Sequence, residues 1–180
     1  MSERIQLFDT HTHLDAEQFN QDRAEVLERA RAAGIKYLLT VGVGGGLNSA
    51  AAIASIIDGD DCIWGSVGVH PHDAEIALDT SALERLAAHP KVVAIGETGL
   101  DFFRDWSPRD AQAEWFRAQV ALALKLKKPL IIHSREAGPQ CLNILREMHA
   151  EDIGGVFHCF AEDEHFAAEL RNIGFLISVT

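Results

Sequence analysis

Short, almost continuously apolar segments recur along the chain, and each is followed by a stretch with apolar residues at helical spacing. This alternation predicts seven buried strands and six helices. The predicted strands are Ile5–Phe8, Ile35–Val41, Cys62–Val69, Val92–Ile95, Pro129–His133, Gly155–His158 and Phe175–Val179. The predicted helices are Asp22–Ala33, Asn48–Ile57, a short one capped by Ser81 and ending near Ala88, a long one capped by Ser107 and ending near Leu126, Gly138–Met148 and Asp163–Asn172.

Strict strand–helix alternation indicates an α/β fold, with a parallel sheet covered by helices. An open nucleotide-binding sheet is the rival, but the glycines at 42 and 44–46 do not form the G-x-G-x-x-G fingerprint between a strand and a helix. We therefore predict a (β/α)8 barrel of the TIM type and of the metal-dependent hydrolase kind. It is expected to be a single domain over residues 1–180, incomplete because the final strand and helices are lacking.

Ligand-type side chains fall at the carboxyl ends of the predicted strands. Asp9, His11 and His13 alternate along the first strand, so their side chains point to one face. The later strands lead into another five such residues: His70, His72, Glu97, His133 and His158. The strand ends of a barrel converge on one mouth, which is where active sites are built, so this pattern predicts a metal site. The other histidines are expected on the surface: His89, His149 and His165.

The composition limits the function without defining it. A net charge of −11 and a pI of about 5.2 argue against a broad basic groove for duplex nucleic acid, although they allow a nucleic acid held locally by metal ions. Cys62, Cys141 and Cys159 are widely spaced and odd in number, as in reduced cytosolic proteins. The polar N-terminus lacks a signal-like apolar region, and no run of about 18 apolar residues occurs. We expect a cytoplasmic protein without a membrane anchor.

Five segments of the sequence resemble the motifs of the TatD-type metal-dependent deoxyribonucleases, which are amidohydrolase-like barrels. The segments occur in the family's order and span the chain: FDTHTHLD at 8–15, VGVHPH at 67–72, IGETGLD at 95–101, PLIIHSR at 129–135 and VFHCF at 156–160. The resemblance implies a 3′–5′ exonuclease type of activity on phosphodiester bonds, with two divalent metal ions as cofactors.

The resemblance also implies how those ions are held. His11, His13 and Glu97 would bind one ion, and the catalytic Glu97 would bridge to a second ion held by His133 and His158. The chemistry agrees, because a carboxylate can bridge two cations that activate a water together, whereas an imidazole does not bridge comfortably. Imidazole ligands favour Zn, Mn or Fe, whereas the family is usually described as magnesium-dependent. The identity of the metal therefore stays open among Mg, Mn and Zn.

One departure from the family's pattern concerns a Glu-Thr-Asp motif after the eighth strand, whose aspartate binds the first ion. The 180 residues do not contain it. We therefore expect little nuclease activity from this chain alone and a large gain when some 60–80 C-terminal residues are restored, a length estimated from typical barrels. The open first and seventh strands also predict poor stability or self-association.

Several weaker candidates lie near the predicted mouth. His70 and His72 are expected to contact substrate rather than metal. Arg104 and Arg135 could bind phosphate bidentately, although surface ion pairs with nearby acids are almost as good an interpretation. Asp9 could orient His11 or simply cap the strand end.

Aromatic side chains follow the fourth strand and suggest a surface for nucleobases. Phe102, Phe103 and Trp106 form an apolar loop there, which could serve as a base platform. Trp115 falls inside the long predicted helix and is expected in the core.

The combined interpretation is a divalent-metal-dependent deoxyribonuclease whose partner is DNA, at single-stranded or frayed ends. Two alternatives stay open: a hydrolase of another ester, amide or lactone bond, since a fold does not determine a substrate, and a catalytically silent binding module. No membrane and no stable protein partner are implied.

Overall fold

The computed structural model describes residues 6–42 and 45–179. Its seven strands are β1 (Leu7–Thr12), β2 (Ile35–Val41), β3 (Ile63–Val67), β4 (Val92–Asp101), β5 (Leu130–Arg135), β6 (Gly155–Phe157) and β7 (Phe175–Ile177). Its six α-helices are α1 (Arg23–Ala32), α2 (Leu47–Asp58), α3 (Thr80–Ala87), α4 (Arg109–Leu126), α5 (Gly138–Glu147) and α6 (Glu164–Asn172). Short 3₁₀ turns occur at Glu17–Phe19, Pro71–Asp73 and Ala150–Asp152.

The strands form one parallel sheet in the order β1-β2-β3-β4-β5-β6-β7, so each strand pairs with its neighbours in sequence. The sheet curls into an open barrel with the helices outside. This confirms the prediction of an incomplete (β/α) barrel with seven strands and six helices. All strand ends that carry candidate ligands therefore lie on the same rim.

Apolar residues form two layers on either side of the sheet. The larger layer lies between the sheet and the helices, where residues such as Ile53, Ile95 and Phe116 are completely buried. A smaller cluster of Val41, Ala94 and Ile131 lines the inner face. Strands buried on both faces read as continuous apolar runs, which is why the sequence predicted them well.

The largest difference from the predicted elements concerns β4. The strand was expected to end at Ile95, but it continues to Asp101 and pairs with β5 over Thr98–Asp101. The register shifts between Ile95 and Thr98, as it does where a strand bulges. Such irregularities redirect side chains and are common next to active sites. Glu97 consequently lies within the strand, two residues beyond its predicted end.

Other boundaries were wrong by a few residues. The short helix α3 is capped by Asp79, whose carboxylate accepts from the amides of Ser81 and Ala82, and not by Ser81. The cap of α4 is Pro108 and not Ser107, because the Ser107 hydroxyl donates to the carbonyl of His72 instead. β3 ends at Val67, two residues early, and β7 ends at Ile177, also two residues early. The predicted start of β1 at Ile5 lies outside the described residues.

No helix among the described residues is both long and apolar enough to cross a membrane.

The inner face of the sheet near β7 predicts self-association of this 180-residue chain. Leu176 is 71% exposed and Val179 is 79% exposed, while β1 and β7 each pair with a strand on one side only within the described part of the chain. Exposed apolar strand faces and unpaired edges are sites of chain–chain pairing. We expect dimers or larger species in light scattering after gel filtration.

Leu176→Lys should shift that population towards monomer, because it places a charge on the exposed strand. Leu78→Lys is the matched control, since Leu78 is also exposed but lies away from the sheet edges. A chain that stays monomeric at every accessible concentration would show that these edges do not associate.

Candidate metal centre

Glu97 is the centre of the site because two strands bring histidines to its opposite oxygens. Its side chain is buried, and Oε2 lies 3.3 Å from Nε2 of His11 on β1. Oε1 lies 3.0 Å from Nδ1 of His133 on β5. His11 and His133 therefore converge on one carboxylate, as expected from a barrel.

His13 completes a compact group with His11 and Glu97, whose candidate ligand atoms all lie within 4.8 Å of one another. The Nδ1 atom of His13 lies 2.8 Å from the carbonyl oxygen of Val41, so it carries the ring proton and donates. In the neutral ring this leaves the Nε2 lone pair unprotonated. Fixing the tautomer through a carbonyl is typical of histidines that bind metals.

Asp101 belongs to the site, and sequence reasoning missed it by treating it as a partner for surface arginines. Its side chain is buried at the end of β4, and Oδ2 lies 2.6 Å from His72 Nε2 and 3.0 Å from His133 Nε2. Oδ1 accepts from the amides of Phe103 and Arg104. The signal that could have found it is the four-residue spacing from Glu97, which places both on one face if the strand continues past Ile95.

His158 lines the same cavity as Glu97 and His133 but contacts other partners. Its ring stacks on His11, with 3.4 Å between the centroids, and its Nδ1 lies 3.2 Å from the Ser178 hydroxyl. It joins none of the three compact ligand groups found among the described residues; His133 instead groups with His70 and Glu97, and again with His72 and Asp101. Metal binding by His158 stays a prediction.

His70 is buried beside Glu97, and its protonation is fixed by a hydrogen bond on the far side of the ring. Burial lowers the pKa of His70 to about 3, so the ring is neutral at physiological pH. Its Nδ1 accepts from the amide of His72, which leaves the proton on Nε2, 3.9 Å from Glu97 Oε1. A ring in this tautomer offers a donor and not a metal-binding lone pair at Nε2.

The carboxylates of the site stay ionised although they are buried. Burial works to raise the pKa of Glu97, but the side-chain contacts with His11 and His133 hold it well below its usual range. Burial likewise acts to raise the pKa of Asp101, and the bonds from the Arg104 amide, His72 and His133 lower it to about 2. Burial lowers the pKa of His133, but the bonds and charges of Glu97 and Asp101 outweigh this and raise it. The site therefore favours positive charge between its carboxylates.

These features fit a divalent cation. The buried Nε2 of His11 has no well-aligned hydrogen bond, although Glu97 is close. Two buried carboxylates and several imidazoles supply the oxygen and nitrogen donors that Zn and Mn accept. The two carboxylates favour a positive charge at His133, and a bound metal ion would supply positive charge there.

Two glutamines on α4 hold the rim in place. Gln119 accepts from the Val69 amide (2.7 Å) and donates to the Val69 carbonyl (3.0 Å) and the Thr98 hydroxyl (2.7 Å), next to His70 and Glu97. Gln112 accepts from the Asp101 amide (2.8 Å) and donates to Ser107. Both side chains are buried, seven residues apart on the apolar face of the helix. Two glutamines seven residues apart on the apolar face of a predicted helix are the sequence signal that could have identified these supporting residues.

The site opens into a cavity of about 420 Å³. Its lining includes His13, His70, His72, Asp73, Glu97, Trp106, His133, His158 and Cys159. Arg104 and Arg135 stand near this mouth, and their guanidinium groups lie over aromatic rings: Arg104 is 5.2 Å from Trp106, and Arg135 is 5.0 Å from Phe103. Their predicted role in binding phosphate remains a prediction.

The remaining candidates have structural explanations. Asp9 accepts from the His11 amide, as in the strand-cap alternative. Trp115 is in the core, as predicted. His149 and His165 are exposed, and His89 is half-buried beside Asp58.

A curved parallel sheet whose rim presents buried histidines and carboxylates defines a barrel hydrolase of the metal-dependent class. The chain belongs to the TatD related DNase family, whose model matches residues 8–180. This confirms the resemblance that the sequence motifs indicated.

Relatives and solved structures agree with this assignment. The chain is 42% identical over 174 residues to an uncharacterized metal-dependent hydrolase, YabD, of Bacillus subtilis, covering 96% of this chain and 68% of YabD. It is 38% identical to the 3′-5′ ssDNA/RNA exonuclease TatD of a Rahnella species, covering 97% of this chain and 66% of that protein. The crystal structure of YJJV, a TatD homologue from Escherichia coli, matches with a TM-score of 0.86 and 27% identity over 95% of this chain and 66% of that one. The chain thus spans about two thirds of the length of these proteins.

Proposed function

We propose that this protein is a divalent-metal-dependent nuclease that removes nucleotides from single-stranded DNA ends in the 3′–5′ direction. The observation that carries the proposal is the buried Glu97, whose two oxygens face His11 and His133 from different strands. Membership of the family and the name of the Rahnella relative support the choice of phosphodiester substrates.

The proposed metal ligands are those that the family resemblance implies: His11, His13, Glu97, His133 and His158. Glu97 would be shared between two ions. Bound divalent ions would supply a water of lowered pKa and charge stabilisation for the phosphodiester. The ion is proposed to be Mg, Mn or Zn.

Neighbouring side chains would position the substrate. His70 carries its proton on Nε2 and could donate it in a hydrogen bond to a phosphate oxygen at the mouth. Asp101 holds His72 and His133 in fixed orientations through bonds of 2.6 and 3.0 Å. Arg104 and Arg135 would supply local positive charge, which a chain of net charge −11 needs in order to approach DNA.

A digestion experiment tests the proposal. A 5′-labelled single strand would be incubated with Mg²⁺, Mn²⁺ or Zn²⁺ and the protein, both as the 180-residue chain and joined to the C-terminal third of YabD. We expect products shortened stepwise from the 3′ end, lost in EDTA, weak for the short chain and strong for the hybrid.

Substrates with lactone, amide and simple ester bonds are the comparison. Hydrolysis of one of these with intact DNA would contradict the proposal in favour of another hydrolase. A hybrid that binds metal but cleaves none of the substrates would instead indicate a binding module.

We also infer a cytoplasmic location. Cys141 is a buried thiol whose pKa is raised by burial to about 12, as suits a packing role in a reducing compartment.

A further inference from the structure

The loop between β4 and α4 exposes large apolar rings beside the site. Trp106 is 61% exposed and Phe103 is 54% exposed. Large aromatic side chains usually contribute to stability by burial, and these two do so only in small part. Their exposure therefore suggests a role other than stabilising the fold.

Hydrogen bonds within the loop hold the rings of Phe103 and Trp106 in their exposed positions. Asp101 accepts from the amides of Phe103 (3.1 Å) and Arg104 (2.7 Å), which fixes the turn after β4. Arg109 pairs with Asp105 through two bonds of 2.8 and 2.6 Å and covers the Phe102 ring. The rings are thus presented by an ordered loop, and little conformational entropy would be lost on binding.

Trp106 lies next to the candidate metal centre. It lines the same cavity as Glu97 and His133, and its ring lies 4.4 Å from the ring of His72. The guanidinium of Arg104 lies 5.2 Å from the indole, so a flat apolar surface and a positive charge stand side by side. An unpaired nucleotide has the complementary parts, a base that stacks and a phosphate that pairs with arginine.

We infer that Trp106 is the stacking surface for an unpaired nucleobase next to the bond that is cleaved, and that it makes the enzyme select single strands. This inference rests on the proposed nuclease function. A base within a duplex has both faces covered by its neighbours and must be unstacked before it can lie on the indole. Single-stranded and frayed ends avoid that cost.

Binding of short phosphorothioate strands, which resist hydrolysis, tests the inference on the 180-residue chain with metal present. A series of fluorescent hexanucleotides would each carry one abasic site, and anisotropy would give Kd for each. Stacking on an aromatic residue contributes about 10-fold or more per base. We expect one abasic position to weaken wild-type binding by about 10-fold, and Trp106→Ala to weaken binding of the intact strand by a similar factor.

The distinguishing result is the combination of the two changes. In Trp106→Ala the same abasic site should cause no further loss, whereas Trp106→Phe should restore most of the discrimination. Tyr37→Ala is the matched control, because Tyr37 is also an exposed ring beside a cation, Lys36, but does not line the cavity. It should bind like the wild type.

Two outcomes separate the possible failures. If Trp106→Ala binds like Tyr37→Ala, or keeps the wild-type abasic profile, the stacking role is wrong while the nuclease proposal stands. If the wild type binds every strand equally, whatever the position of the abasic site, the stacking role is also wrong, and the digestion experiment with the hybrid decides the nuclease proposal separately.

Discussion

Replacing Glu97 with alanine should release every divalent ion from this protein and abolish its hydrolytic activity. The group of His11 and His13 and the group of His70 and His133 both include the Glu97 carboxylate, so its loss removes an oxygen donor from each. Loss of a group that merely supports a metal ligand weakens metal binding by about 10–100-fold, and we expect a shared ligand to cost more. Elemental analysis of the dialysed protein measures the metal content.

His133→Ala should instead remove mainly one ion, because His133 contacts Glu97 through one oxygen only. Glu84→Ala is the matched control, since Glu84 is a glutamate paired with Lys125 on the surface. Full metal content in a folded Glu97→Ala protein would show that the carboxylate is not the shared ligand.

Gly99→Ala should destabilise the protein strongly. Gly99 lies in β4 opposite His133 with a φ of +136°, which L side chains rarely adopt. A Cβ atom there would lie 2.0 Å from the carbonyl oxygen of His133, so β5 would have to move away. Strain and overpacking together suggest a loss of about 3–5 kcal/mol in the free energy of unfolding. Thermal denaturation should show a melting temperature lower by roughly 10 °C.

Gly45→Ala is the control that separates the effect of backbone strain from the effect of the collision between Cβ and His133. Gly45 also has a positive φ, +74°, but a Cβ there would meet no atom of the described residues within 4 Å. It should cost about 1 kcal/mol, the typical effect of backbone strain alone. Equal melting temperatures for the two variants would contradict the close approach of β4 and β5.

The strands and helices were predictable because their signals are local. The continuous apolar run Leu130–Ile132 is buried throughout, as expected for a strand of a covered parallel sheet. Apolar residues at helical spacing likewise indicated α1. Placing His11, His13 and His133 on one rim then followed from the topology, since parallel strands in a barrel share one direction.

The errors arose where a residue's role depends on a distant partner. Ser107 has the appearance of a helix cap, but its hydroxyl is engaged by the carbonyl of His72. β4 was ended at Ile95, before Gly96 and Gly99. In the structure these glycines lie against β5, where a side chain would collide with Ile131 or His133. Local sequence signals cannot report such approaches between strands.

The sequence by itself therefore determined the class of fold and the residue types on its rim. Only the tertiary structure decided how those residues are arranged: that Asp101 joins the site, that His158 stacks on His11, and that His70 presents a proton instead of a lone pair. The physical reason is that hydrogen bonds act over about 3 Å. The distances that decide them are set by the curvature and register of neighbouring strands, which depend on the whole sheet and not on any one segment.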